Sequence, residues 1–214
     1  FIRCFESSYQ DAYTDTCEPK ETNLDRIRSL AVKFDFKHPL PNEPMGLQGI
    51  LKQKKIVLVG EIHGTQEVPE LFGNLVASVA SADTKTLAVL EINQASQSSI
   101  DAFLKTNDES ILKSDIFFSR KYQDGRSSRA MVDLLKKLSK LKNVSVLCMD
   151  PMATNQSMSN QDRDTAMASF INSKVNDFDN TLVLVGNVHS AVEVGTPWDK
   201  DFRPMGYELK NMLK

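Results

Sequence analysis

Apolar residues fall into two patterns along this chain. The first is short unbroken runs: KKIVLVG (54–60), TLAVLEI (86–92), NVSVLCMD (143–150) and NTLVLVG (180–186). Runs of this length, rich in Val, Ile and Leu, predict strands buried on both faces. The second is helical spacing. TQEVPELFGNLVASVA (65–80) predicts a helix, with Thr65 as N-cap and Pro69 in its first turn. SSIDAFLK and ESILKSD, within 98–115, predict short helices. SSRAMVDLLKKLSKL (127–141) predicts a strongly amphipathic helix, with lysines toward its C-terminus where the helix dipole favours them. NQDRDTAMASFINSKV (160–175) predicts another, capped by Asn160 or Ser159, and the tail RPMGYELKNMLK one more. Apolar strands alternating with helices predict an α/β fold, a mainly parallel central sheet with helices on both faces. AVEV (191–194) is a candidate short fifth strand.

Before the first run the pattern is different. Residues 1–21 read as an irregular arm, NLDRIRSLAVKF (23–34) as a helix, and HPLPNEP (38–44) as a proline-rich connector. The expected division is an N-terminal arm with one helix over 1–45 and an α/β domain over 46–214. A start on Phe rather than Met implies a removed tag or leader, or a start inside a longer product. Cys4 and Cys17 flank a polar stretch with too few apolar residues to hold itself. A Cys4–Cys17 disulfide would staple it, and export to the periplasm or the outside would follow. Cys148 lies inside an apolar run and reads as an inert buried thiol.

Composition narrows the partners. The net charge is −2 with no long run of one sign, which argues against nucleic acid and anionic membrane surfaces. No apolar stretch approaches the roughly 20 residues that span a bilayer. A small molecule or a peptide is left as the expected ligand.

Chemistry gathers at the strand ends. The four runs finish in Gly60-Glu61-Ile62-His63, Glu91-Ile92, Met149-Asp150-Pro151 and Gly186-Asn187-Val188-His189. The chain has three histidines, and two of them stand in the repeated Gly-x-x-His frame. His38, in the proline-rich connector, reads as a surface residue. Ligands of open parallel sheets bind outside the carboxyl ends of the strands. If the chain stays extended past each Gly, Glu61 and His63 share one side, as do Asn187 and His189. The helix start near Thr65 would offer free N–H groups to an anion or an oxyanion. Two chemistries fit. In one, a histidine takes a proton from water while a glutamate orients it. In the other, His63, His189 and Glu91 ligate Mn, Zn or Fe, and the ion activates the water. In FFSRKYQDGRSSRAM (117–131), Arg120, Arg126 and Arg129 crowd an Asp-Gly turn. Arg126, at the Gly turn directly before a helix, is the expected anion clamp. Ser127 or Ser128 would cap that helix, and Phe118 and Tyr122 are candidate flat walls.

These residues resemble a known superfamily, the erythromycin esterase-like, ChaN-like and Tiki-like proteins. The likeness rests on GEIHGTQEVPELF (60–72), LEI (90–92) and GNVHS (186–190), with QDGRSSRAM (123–131) similar to a segment of ChaN-like proteins. It spans residues 50 to 195, and the two Gly-x-x-His frames are the Tiki-like hallmark. The resemblance implies an α/β fold with its site at the strand ends, and Glu61, His63, Glu91 and His189 match the common site. Esterase-like members are hydrolases with a metal-free His base, Tiki-like members metal-dependent proteases, and ChaN-like members haem-binding lipoproteins of iron uptake. The esterase-like branch has one more residue between its Glu and His, and an Arg where Gln66 and Glu67 stand here. The leading expectation is therefore an exported hydrolase of ester or peptide bonds, with Glu61, His63, Glu91, His189 and Arg126 as catalytic residues. The alternative is a haem- or iron-binding protein, with Tyr122 and Tyr207 as candidate haem ligands. Both need His63 and His189 to converge beside Glu91.

Overall fold

A computed structural model of the chain describes residues 55–120, 124–151, 158–196 and 198–213. The expected arm, its helix, the Cys4–Cys17 pair, His38 and Tyr122 lie outside the described residues. The elements are β1 (Ile56–Glu61), α1 (Glu67–Val79), β2 (Thr86–Asn93), α2 (Gln97–Thr106), α3 (Glu109–Ser114), α4 (Ile116–Ser119), α5 (Arg129–Leu138), β3 (Val144–Asp150), α6 (Asn160–Asn172), β4 (Asn180–Gly186) and α7 (Met205–Met212).

The four apolar runs form one sheet in the order β1-β4-β2-β3, and every pairing is parallel. Parallel neighbours need crossover connections, and the helices supply them. Every residue of β2 is buried, as an interior strand covered on both faces must be. On one face Leu87, Val89, Met149, Val183 and Val185 pack against Met167, Ala168 and Ile171 of α6 and Met205 and Leu209 of α7. Residues of the opposite parity, Ala88, Leu90, Leu182 and Leu184, are buried as well. On that face α1 packs against β2, β4 and α5. The last strand in sequence, β4, enters between β1 and β2, so the carboxyl ends of all four strands lie in one row.

Two local features aim side chains at that row. Leu90 pairs with Cys148, but Asn93 rather than Ile92 pairs with Asp150. One extra residue in β2 makes a bulge at Glu91 and Ile92, the kind of irregularity that re-aims a side chain. Second, Gly64 and Gly125 have φ values of +86° and +96°, and their backbones touch. A Cβ on Gly125 would overlap the backbone of His63 and Gly64. The DGR turn is thereby seated on the turn that carries His63.

Two details differ from the sequence expectation. Thr65 is not the N-cap of α1. Its hydroxyl donates to Ile62 O at 3.0 Å, closing the turn after β1, and the helix begins at Glu67. AVEV adds no strand: the amides of His189 and Ser190 both return to Gly186 O, which turns the chain out of the sheet before residue 191. Ser128 and Ser159 do cap α5 and α6, each accepting from the amide three residues on. Cys148 is a buried free thiol, and burial, helped by Asp101 and Asp115, pushes it up to about 12.

Gly125→Ala should cost about 1–3 kcal/mol of stability, from its left-handed φ alone, and more where the backbone overlap cannot relax. An unchanged midpoint in urea unfolding would show that the two turns do not bear on each other.

Candidate active site

His63 stands in the turn beyond β1, with Nδ1 2.8 Å from Glu61 Oε1. An ionised carboxylate only accepts, so Nδ1 carries a proton, and in the neutral ring the lone pair is on Nε2. Nε2 faces Glu91, 3.7 Å from its Oε2. Glu91 is 4% exposed. Its Oε2 accepts the Gly186 amide at 2.7 Å, where β4 ends. Its Oε1 accepts from Arg126 Nη1 at 3.0 Å and from Arg163 Nη2.

The same two guanidiniums hold Asp150. Arg163 is bidentate, Nε to Oδ1 at 3.0 Å and Nη2 to Oδ2 at 2.8 Å, while Arg126 Nη1 reaches Oδ2 at 2.9 Å. Arg126 also donates from Nε and Nη2 to Asp124 Oδ2, at 3.0 and 2.7 Å. Its guanidinium thus serves three carboxylates of the protein itself. The sequence places Arg126 at the site, and it is there, with four of its five N–H groups directed at those carboxylates.

His189 stands in the turn after β4. Both oxygens of Asp164 lie within 2.9 Å of its Nδ1, and Asp164 is fully buried. Asp164 Oδ1 also accepts the Met205 amide at 2.6 Å, at the start of α7. Arg163 Nη1 lies 3.1 Å from His189 Nε2, which must accept because a guanidinium only donates. Nε2 is 4.0 Å from Glu91 Oε1. The two imidazoles, 126 residues apart in the chain (189 minus 63), therefore flank one carboxylate.

Asn187 and His189 do not share one side of an extended strand: the chain after Gly186 turns, and Asn187 is exposed. Arg163 and Asp164 escaped the sequence reading, and Asp150 was noted only as a strand end. Of the other arginines, Arg120 pairs with Asp124 and lies over the Phe117 ring, while Arg129 pairs with Glu109 and Asp133 on the surface. Phe118 packs edge-on against Phe117. Tyr207, the remaining candidate haem ligand, is a half-buried residue of α7.

Burial pushes the Glu91 carboxyl up, but Arg126, Arg163 and the Gly186 amide outweigh it and hold it below the usual range. Asp124 is likewise pushed up by burial and then pulled down to about 2 by Arg126, with help from Arg120. Burial disfavours charge on both arginines, and their carboxylate partners more than restore it.

His63, His189 and Glu91 converge as a metal site would need, but the remaining chemistry does not suit a cation. The His189 lone pair is taken by Arg163, both oxygens of Glu91 carry N–H donors, and the Arg163 guanidinium stands where an ion bridging His189 and Glu91 would sit. Among the described residues no group of three or more His, Cys, Asp or Glu side chains is disposed to hold a metal ion.

Neither a protein-family model nor a curated protein matches the chain. Among solved structures, that of the type III effector HopBA1 is similar, with a TM-score of 0.51 and 19% identity over 78% of this chain and 82% of that one. At that identity the likeness is one of fold.

Arg163→Met should lower stability by about 3–5 kcal/mol at neutral pH, since it leaves Glu91 and Asp150 sharing Arg126 alone. Urea unfolding measures it, and a loss below 1 kcal/mol would mean that Arg126 alone balances both carboxylates. Acid should act in the same direction. Glu91 and Asp124 have depressed folded values, so their contribution is present above their unfolded values and lost as pH falls through the folded ones. For Asp124 that window runs from 3.8 down to about 2, and Asp124→Asn should flatten the stability curve there.

Proposed function

We propose that this chain is a hydrolase of ester or peptide bonds in which His63 is the general base. One observation carries the reading: two imidazoles, each fixed at Nδ1 by its own carboxylate, turn their Nε2 atoms toward a single buried glutamate. The resemblance to the erythromycin esterase-like, ChaN-like and Tiki-like proteins supports it.

The two histidines are not equivalent. His189 Nε2 is spent on Arg163, whereas His63 Nε2 has no hydrogen-bond partner at Glu91's 3.7 Å distance. His63 is also the more accessible, at 26% of its side chain against 17%. His63 Nε2 takes a proton from water, and the water oxygen adds to the carbonyl carbon. The resulting imidazolium, held by Glu61 and facing Glu91, returns the proton to the leaving oxygen or nitrogen as the acyl bond breaks. Arg163 Nη1 has a second N–H beyond the one directed at His189, and it is the donor offered to the developing oxyanion. Gly186 keeps the space open, because a Cβ there would stand 3.1 Å from His63 Nε2 and 3.4 Å from Glu91 Oε2.

His63→Ala should lower kcat on an activated ester by about 10²–10⁴-fold with an unchanged circular dichroism spectrum. A variant that keeps full activity discards the assignment. Gly186→Ala should cost about 10²-fold by displacing the imidazole, again without unfolding.

A further inference from the structure

Beside the hydrogen-bonded cluster lies a cleft of about 480 Å³, within the range of small-molecule sites. His189 and Arg163 line it together with Val188, Asn160 and Phe202, and Trp198 stands on its rim. Trp198 is the sole tryptophan of the chain and is 72% exposed.

The exposure is built in. The segment around Trp198 is tied by its own hydrogen bonds: Gly195 N to Phe202 O and Thr196 N to Asp199 O, both at 2.7 Å, and Asp199 N to Thr196 Oγ1 at 3.0 Å. Phe202 and Pro204 are buried and anchor its far end. A loop fixed at both ends thus holds the largest apolar side chain in solvent, although burying an indole is among the larger stabilising contributions open to a chain. Among the described lining residues only Asp199 adds a further formal charge, and the Arg163 charge is met by Glu91 and Asp150. The pocket therefore suits a neutral moiety with a flat apolar face more than an anion.

We propose that this cleft is a binding subsite in which Trp198 stacks against a ring with a flat apolar face, aryl or pyranose, next to the bond presented to the histidine pair. That the ring belongs to a substrate rests on the hydrolase reading; that the ring binds does not.

The lone indole is its own reporter. Titrating the full chain with benzyl acetate, with methyl glucopyranoside 6-acetate and with ethyl acetate, while reading tryptophan fluorescence, separates the sources. A saturable change with benzyl acetate but not ethyl acetate assigns an aryl ring, and one with the glucoside assigns a sugar. The same change without any turnover keeps the subsite and discards the hydrolase. Turnover is followed in parallel: Trp198→Ala should lower the kcat/KM ratio of the preferred ring-bearing ester to ethyl acetate by about fivefold, mostly through KM, and Trp198→Phe should restore most of it. No saturable change with either ring probe, or a Trp198→Ala ratio equal to that of the parent, overturns the proposal.

Discussion

The buried charge of Glu91 organises this molecule. A carboxylate taken out of water is costly unless it is paired and hydrogen-bonded. Here the pairing comes from the Gly186 amide at the end of β4, from Arg126 on the turn before α5, and from Arg163 on α6. Those guanidiniums in turn need Asp150 at the end of β3 and Asp124 beside the turn. One charge at the end of β2 thus ties together β3, β4, α6 and the turn of Gly125, and the turn of His63 is seated on the last of these. Loss of either guanidinium is felt by the whole row of strand ends.

The hydrogen bonds also separate two otherwise similar histidines. Both follow the same Gly-x-x-His frame, and both donate from Nδ1 to a carboxylate. The Glu61 partner is two residues away, whereas the Asp164 partner comes from α6 and is locked to the Met205 amide. Arg163 then occupies the remaining nitrogen of His189 and leaves that of His63 open. A repeated sequence frame yields one imidazole with an open Nε2 and one tied at both nitrogens, and the difference lies in helix α6.

That division marks what could be seen in the sequence. Four unbroken apolar runs are legible as strands because a strand covered on both faces needs no polar alternation, although only β2 and β4 are buried almost throughout and the edge strands β1 and β3 are partly buried. β4 matches its run residue for residue, and the carboxyl-end rule then locates His63, Glu91 and His189. Arg163 and Asp164 were hidden because a charged pair near a helix start reads as solvated. Their spacing held the signal: with Met167, Ala168 and Ile171 they make one buried stripe along α6. Charges on the stripe that faces a core are candidates for a site. The bulge at Glu91 and Ile92 left no mark that a single sequence displays, since it depends on how β2 and β3 pair.

The charge balance bears on what such a site accepts. Glu61, Glu91, Asp124, Asp150 and Asp164 stand against Arg126 and Arg163, with Arg120 a third cation paired with Asp124. With most of the guanidinium N–H groups committed to protein carboxylates, a fully charged phosphate or carboxylate would meet an excess of negative charge in a partly desolvated space, where repulsion is poorly screened. On the hydrolase reading proposed above, this charge balance favours neutral substrates over anions, which agrees with the weakly charged cleft beside Trp198.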